Sequence, residues 1–150
     1  MKKKIIGIMG PGPGATERDL AHAYTLGRMV AEEGWLLLTG GMKTGVMDAA
    51  SRGAGEAGGL VIGILPTGDS SAASDAVDIP IVTGMGSARN NINILSSDVV
   101  IACGMGPGTA SEIALAIKNG RKVILLNDME ESRAFFTKLS SDFVFPVSSP

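Results

Sequence analysis

The chain has 150 residues, of which 45% are hydrophobic, 19% charged and 4% aromatic, and its formal net charge is -2. This length corresponds to about one domain, and the apolar fraction is too high for a disordered chain. The charge balance lacks the basic excess of a duplex nucleic-acid binder, so we expect no nucleic-acid partner. Glycine, with 21 residues, is about twice as frequent as its ~7% background. We therefore predict one domain over residues 1–150, in which the glycines have local backbone roles.

The chain contains one cysteine, Cys103, and one histidine, His22. They offer neither an internal disulfide nor a cluster with metal-ligand spacing, so we expect no metal site and a reducing, cytoplasmic setting. The apolar run 5–9 is shorter than the ~7 to 15 residues of a signal-peptide core. No stretch reaches the ~18 apolar residues of a membrane helix, so we expect no membrane partner.

Short apolar runs alternate along the chain with segments of helical periodicity, which is typical of α/β proteins. Several runs lack inward and outward alternation, as in strands that helices cover on both faces. Thr16 is the predicted N-cap of the first helix. The pattern predicts a doubly wound, Rossmann-like, three-layer α/β fold with a mainly parallel sheet of about seven strands. The predicted strands are 5–9, 35–39, 60–65, 79–82, 99–103, 123–126 and 143–147, and the predicted helices are about 17–33, 46–56, 87–95, 109–119 and 130–138.

Three of the predicted strand-to-helix turns are rich in glycine: 10–16, 40–45 and 104–109. Glycine lets the backbone approach a ligand closely, and the amide groups at the start of the next helix favour a phosphate. A single such turn is weak support, because tight turns also need glycine for structural reasons. The three turns together predict an anion site at the carboxyl edge of the sheet. Neither the dinucleotide fingerprint nor a P-loop is present, which disfavours an NAD dehydrogenase and a P-loop ATPase.

The most specific motifs follow one another in a fixed order along the chain. A Gly-Gly-x-x-x-Gly-x-Met turn comes first, then an arginine in a helix before a Ser-Asp pair, then a Gly-x-Gly-Thr-x-x-Glu turn. This order resembles the Rossmann-like superfamily of the lonely-guy phosphoribohydrolases, which also includes the molybdenum-cofactor carrier proteins. The resemblance covers nearly the whole chain. The residues that carry it are Gly40, Gly41, Gly45 and Met47, then Arg89 and Asp98, then Gly106, Gly108, Thr109 and Glu112.

The resemblance also implies roles for these residues. Arg89 and Glu112 would be the catalytic pair of a hydrolase, since a carboxylate can stabilise an oxocarbenium-like transition state and position water. The guanidinium would orient the ligand or the carboxylate. The residues implied in phosphate binding are Gly106, Gly108 and Thr109, with Gly40, Gly41 and Gly45 closing the other side of the pocket.

The chain departs from the hydrolases at three positions. Asn90 replaces a lysine, while Met42 and Met105 enter turns in which the hydrolases have glycine. The sequences of residues 88–93 and 109–116 resemble those of the carrier proteins more than those of the hydrolases. We therefore expect binding of a phosphorylated, nucleotide-like or pterin-type molecule, with the molybdenum cofactor or a nucleotide phosphate as the bound group and no required cofactor. The alternative is hydrolysis of a nucleoside 5'-monophosphate to free base and ribose 5-phosphate. The resemblance also implies a homo-oligomer, a dimer or a tetramer.

Two site residues have a structural interpretation as well. Thr109 and Glu112 have the spacing of a capping box, in which the glutamate only starts a helix. Arg89 could pair with an acidic neighbour on a surface helix. A lysine decarboxylase is excluded as an interpretation, because that chemistry needs a Schiff-base lysine and the motif turns contain only Lys43.

Overall fold

Seven strands lie side by side in one fully parallel sheet in the computed structural model, which describes all residues 1–150. The spatial order is β4-β3-β2-β1-β5-β6-β7. Each predicted strand is present with its ends within one residue of the prediction, and the predicted Rossmann-like α/β fold is confirmed. The strands are β1 (Ile5–Met9), β2 (Leu36–Thr39), β3 (Val61–Leu65), β4 (Ile79–Val82), β5 (Val99–Cys103), β6 (Lys122–Leu126) and β7 (Val144–Val147).

Five α-helices connect or flank the strands. Thr16 caps the first helix as predicted, because its side chain accepts a hydrogen bond from the amide of Asp19 at 3.1 Å. The third helix follows a single 3-10 turn, Gly86–Ala88. No helix combines the length and the apolarity that a membrane crossing would need. The helices are α1 (Glu17–Glu32), α2 (Gly45–Glu56), α3 (Arg89–Ser96), α4 (Pro107–Lys118) and α5 (Glu130–Leu139).

Helices cover both faces of the central strands, which explains why these strands are continuous apolar runs, whereas the edge strand β4 is exposed along its length. Ile6 and Ile8 of β1 point into a core formed with α1 and α2. Met9 belongs to the opposite core, to which α3, α4 and α5 contribute Ile94, Ile113 and Phe136. Successive residues of one strand therefore enter different layers, and neither face of a central strand is left for polar side chains.

The direction in which the strands are added reverses at β1. From β1 the chain adds β2, β3 and β4 on one side and then crosses back to add β5 on the other. The turns that follow β1 and β5 therefore separate at their carboxyl ends, and ligands of open α/β sheets bind in the crevice formed there. The fold thus predicts a ligand site between these two turns.

Candidate functional site

A cleft of about 750 Å³ opens at this reversal point of the sheet. Its walls come from the turn after β1 (residues 10–14), the turn after β2 (40–47), the segment before and at the start of α3 (86–90) and the first turn of α4 (105–109). The three glycine-rich turns of the sequence thus converge on one crevice. The volume is within the range of small-molecule sites.

The structure places most, but not all, of the predicted site residues on the wall of this cleft. Gly41 and Gly45 are the exceptions. Gly45 has a φ of +54°, and a Cβ there would lie 2.2 Å from the carbonyl oxygen of Gly12, so this glycine joins two turns. Gly41, with a φ of +78°, packs on Gly63. Six predicted residues line the cleft: Gly40, Arg89, Gly106, Gly108, Thr109 and Glu112.

The glycines on the wall differ in what surrounds them. A Cβ at Gly108 would meet no atom within 4 Å, so its backbone is open to the cleft. A Cβ at Gly40 would lie 2.9 Å from Nη2 of Arg89, so the absent side chain leaves room for the guanidinium. Gly108 thus leaves backbone accessible to a ligand, and Gly40 leaves space for the guanidinium of Arg89.

Arg89 and Glu112 form the centre of a buried polar group. Glu112 is 6% exposed and accepts a hydrogen bond from Nδ2 of Asn93 at 3.2 Å. Arg89 donates from Nη1 to Oδ1 of Asn90 at 2.8 Å, and Asn90 in turn donates to Ser111. Arg89 and Glu112 do not form a direct ion pair, but the charge of Arg89 acts to lower the pKa of Glu112. Two asparagines therefore hold the charged side chains in place.

Burial changes the protonation of this group. It raises the pKa of Glu112 to about 7, against the opposing effects of the Asn93 hydrogen bond and the Arg89 charge. Burial also lowers the pKa of Arg89, which the Glu112 charge partly offsets. The carboxyl is thus close to half-protonated at neutral pH, while an arginine remains charged.

Both structural interpretations of these residues are wrong. The N-cap of α4 is Gly106, and Pro107 occupies the first helical position, where its fixed φ suits a helix start. Because α4 begins two residues earlier than predicted, Thr109 lies inside the helix and Glu112 bonds to Asn93 rather than to a cap amide. Arg89 is 9% exposed and does not pair with an acidic neighbour on the surface.

Three buried polar atoms of this region have no hydrogen-bond partner: Nε of Arg89, Oγ1 of Thr109 and Oδ1 of Asn93. Arg89 and Thr109 line the cleft, and Nε and a hydroxyl can both donate. The first amides of α4 are free as well, since the first turn of a helix lacks internal acceptors. Unpaired donors beside a helix N-terminus fit an oxygen-rich anion such as a phosphate.

Some residues on the wall were not among the predicted site residues. The turn after β1, residues 10–14, lines the cleft together with Thr44 and Asn90. Met42 and Met105 also line it, so the departures from the hydrolase pattern lie in the site itself. The glycine-rich sequence of the turn after β1 does predict its place at this edge of the sheet, although its residues were not predicted individually.

Neither Cys103 nor His22 lines the cleft. Cys103 is buried, and desolvation raises the pKa of its thiol to about 12, which makes it an inert packing group. The structure contains no group of three or more histidine, cysteine, aspartate or glutamate side chains that could hold a metal ion.

Comparison with known proteins places the chain among a defined set of relatives. The model of the SLOG cluster4 family (LDcluster4) matches residues 3–150. The structure of the molybdenum cofactor binding protein from the phototrophic bacterium Rippkaea orientalis is similar with a TM-score of 0.99 and 61% identity, covering 100% of this chain and 92% of that one. The molybdenum cofactor carrier protein MCP from Chlamydomonas reinhardtii has a TM-score of 0.94 and 53% identity, with 99% and 91% covered. An uncharacterized protein from Archaeoglobus fulgidus is 44% identical over 140 residues, 91% of each chain.

Proposed function

The chain belongs to the SLOG cluster4 family, and from this premise we propose that it binds and carries the molybdenum cofactor, a phosphorylated pterin. The cofactor is the cargo of the protein rather than a resident catalyst. The cleft at the reversal point of the sheet holds it, with the phosphate at the start of α4. The identity of 61% over the whole chain to a protein described as molybdenum cofactor binding supports this cargo.

The observation that carries the proposal is the set of unpaired donors at the cleft. Nε of Arg89 and Oγ1 of Thr109 are buried without a partner, which costs about 1–3 kcal/mol for each group. A phosphate oxygen supplies the missing acceptors, and the open backbone at Gly108 lets it approach the helix amides. The start of α4, where the resemblance implies phosphate binding, thus lies beside two donors that lack an acceptor, Nε of Arg89 and Oγ1 of Thr109.

The charges of the cleft favour the same ligand at neutral and lower pH. Arg89 is its only cationic side chain, and Glu112 is its only acidic one. When Glu112 is protonated the cleft has a net positive charge, which attracts a phosphate. When Glu112 ionises above a pKa of about 7, the charge is cancelled. We expect the affinity for a phosphorylated ligand to fall as the pH rises through 7.

Hydrolysis of a nucleoside 5'-monophosphate is the second candidate, and one observation favours it. Glu112 and Arg89 both line the cleft beside the first turn of α4, and a carboxyl with a pKa of about 7 suits general acid-base catalysis. Met42, Met105 and Asn90 stand where the hydrolases have other residues, and they favour the carrier. Release of free base by the wild type, abolished in Glu112→Ala, would establish the hydrolase.

The carrier proposal is tested by retention of the cofactor. The purified chain is mixed with molybdenum cofactor and passed through a gel-filtration column, and molybdenum and pterin fluorescence are measured in the protein peak. We expect close to one cofactor per chain in the wild type and much less in Thr109→Val, which removes only the hydroxyl. Ser140→Ala, at the far end of α5, is the control. Absence of both molybdenum and pterin from the wild-type peak would contradict the proposal.

The assembly of the carrier follows from the same resemblance. We expect a homo-oligomer, a dimer or a tetramer, that works in the cytoplasm with a small phosphorylated ligand as its partner and without nucleic acid. Sedimentation velocity of the purified chain measures the assembly directly.

A further inference from the structure

A second, smaller cavity lies next to the cleft at the carboxyl ends of β5 and β6. It has a volume of about 180 Å³ and lies between the first turns of α1 and the loop that joins β6 to α5. We call it the β6 cavity. Gly14 and Met105 line both the β6 cavity and the cleft, so the two spaces adjoin at the turn after β5. None of the motif residues lines it.

The wall of the β6 cavity contains a buried amide with one half unsatisfied. Asn127 is 9% exposed, and its Oδ1 accepts hydrogen bonds from the amide of Met129 at 2.9 Å and from Oγ of Ser132 at 3.0 Å. Nδ2, on the other side of the same amide group, is buried and has no partner. The two bonds to Oδ1 fix the orientation of the amide. Because Asn127 lines the β6 cavity, a donor that lacks an acceptor is held at the wall of this cavity.

The size and lining of the β6 cavity restrict what can supply that acceptor. The volume is about six times the ~30 Å³ that a water molecule occupies in the liquid, enough for a ring system and too little for a nucleotide. Met105, Leu126 and Met129 provide apolar surface for the faces of a ring. Most of the remaining wall is polar, and it includes Thr16, Asp19, His22 and Asn127.

The charges around the β6 cavity disfavour a second anion. Arg18 forms an ion pair with Asp128, so this cation is already engaged. Asp19 lies on the wall, and the first turn of α5 contains Glu130 and Glu131. A neutral ring that has both a carbonyl and N-H donors suits this mixture, because Asn127 binds the carbonyl and the carboxylates accept from the N-H groups.

We propose that the β6 cavity binds the pterin ring of the cargo, with Nδ2 of Asn127 donating a hydrogen bond to the 4-oxo group, while the phosphate lies at the start of α4 in the adjoining cleft. This assignment rests on the proposed carrier function and specifies which part of the ligand each space binds. Met105, on the wall of both spaces, contacts the link between ring and phosphate. Asn127 is then a specificity-determining residue that distinguishes a 4-oxo ring from a 4-amino ring.

The test exchanges the donor for an acceptor without disturbing the fold. In Asn127→Asp, a carboxylate oxygen still accepts from Met129 and Ser132, but the free donor is replaced by an acceptor. The probes are the phosphate ester of 6-hydroxymethylpterin and its 4-amino analogue, and their affinities are measured by pteridine fluorescence. We expect the wild type to prefer the 4-oxo probe by about ten-fold, and Asn127→Asp to reverse this preference, since one hydrogen bond contributes up to about a factor of ten.

Controls separate this inference from the proposed function. Thr109→Val is expected to weaken both probes equally, because both carry the phosphate, and thermal melting checks that Asn127→Asp is folded. If the wild type binds the 4-oxo probe but its preference over the 4-amino probe is absent, the β6 cavity assignment is wrong and the carrier function stands. An unchanged preference in folded Asn127→Asp has the same meaning. If the wild type binds neither probe, the proposed function fails and the assignment fails with it.

Discussion

Glycine serves opposite purposes in two regions of this molecule, the contact between α1 and α2 and the edge of the cleft. At the helix contact, a Cβ at Gly27 would lie 2.1 Å from the carbonyl oxygen of Ala50, and one at Gly53 would lie 2.0 Å from that of Tyr24. At the cleft, a Cβ at Gly108 or Gly14 would meet nothing within 4 Å. Glycine in the first region allows two backbones to touch, and in the second it leaves the backbone open to a ligand. The surplus of glycine in the composition thus reflects both packing and binding.

The helix contact should be the more sensitive region for stability. In Gly53→Ala the added methyl group has no space, because the nearest atom is a backbone oxygen that cannot move alone. We expect a loss of about 3 kcal/mol in the free energy of unfolding, the upper part of the range for overpacking, despite the better helix propensity of alanine. Urea denaturation followed by circular dichroism measures it. A loss below about 0.5 kcal/mol would mean that the helices can separate without cost.

The cleft should be a region where function lowers stability, and Glu112 provides the test. The folded state holds the proton of Glu112 up to a pKa of about 7, while the unfolded chain releases it near the ordinary value of 4.5. The folded state therefore binds more protons between these values, and this group makes stability fall as the pH rises from about 4.5 to 7. Above pH 7 the loss has reached about 2–3 kcal/mol.

Glu112→Gln removes this titration and keeps an oxygen for the Asn93 hydrogen bond. We expect the variant to be more stable than the wild type at pH 8, by up to about 2–3 kcal/mol, with the difference declining toward pH 4. Thermal melting across this pH range checks both the sign and the window. A variant that is less stable than the wild type at pH 8 would show that the ionised carboxylate is well compensated by Arg89.

Gly108→Ala should have the opposite signature to Gly53→Ala. The methyl group fits without a clash, so stability should stay within about 0.5 kcal/mol of the wild type. Gly108 lines the cleft where the phosphate is proposed, so a methyl group there would crowd the phosphate, and we expect about ten-fold weaker binding of the phosphorylated pterin probe. Fluorescence titration measures the affinity and urea denaturation the stability. Unchanged affinity would place the phosphate away from the start of α4.

The smallest effect is expected at Thr16, which belongs to neither region. Its hydroxyl and the carboxylate of Asp19 form a reciprocal capping box at the start of α1. Thr16→Ala should lower the free energy of unfolding by about 1 kcal/mol. Urea denaturation measures the loss, and an unchanged free energy of unfolding would show that the cap does not stabilise α1.

Local patterns of the sequence were enough to predict the fold. The central apolar runs became strands because parallel strands that helices cover on both faces need no polar residues. The convergence of the three glycine-rich turns also followed, since the carboxyl ends of parallel strands meet at one edge. Thr16 was identifiable as a cap from its position before an amphipathic segment.

Other features depended on contacts that spacing does not reveal. Thr109 and Glu112 have the spacing of a capping box, yet Pro107 starts the helix earlier and turns Glu112 toward Asn93, 19 residues away in sequence. Gly41 and Gly45 belong to the motif with Gly40, but only the positive φ angles and close approaches of the structure show that they shape turns instead of lining the cleft. No sequence motif marks the β6 cavity, because its proposed binding group is a single atom, Nδ2 of Asn127, whose lack of a partner is visible only in the structure.

A crystal structure of the chain with bound molybdenum cofactor would show where the phosphate binds. We expect the phosphate in the cleft at the reversal point of the sheet, within hydrogen-bond distance of the Gly108 and Thr109 amides and of the Thr109 hydroxyl. A phosphate bound on another surface, or a cleft from which Arg89 and Thr109 make no contact with the cofactor, would contradict it.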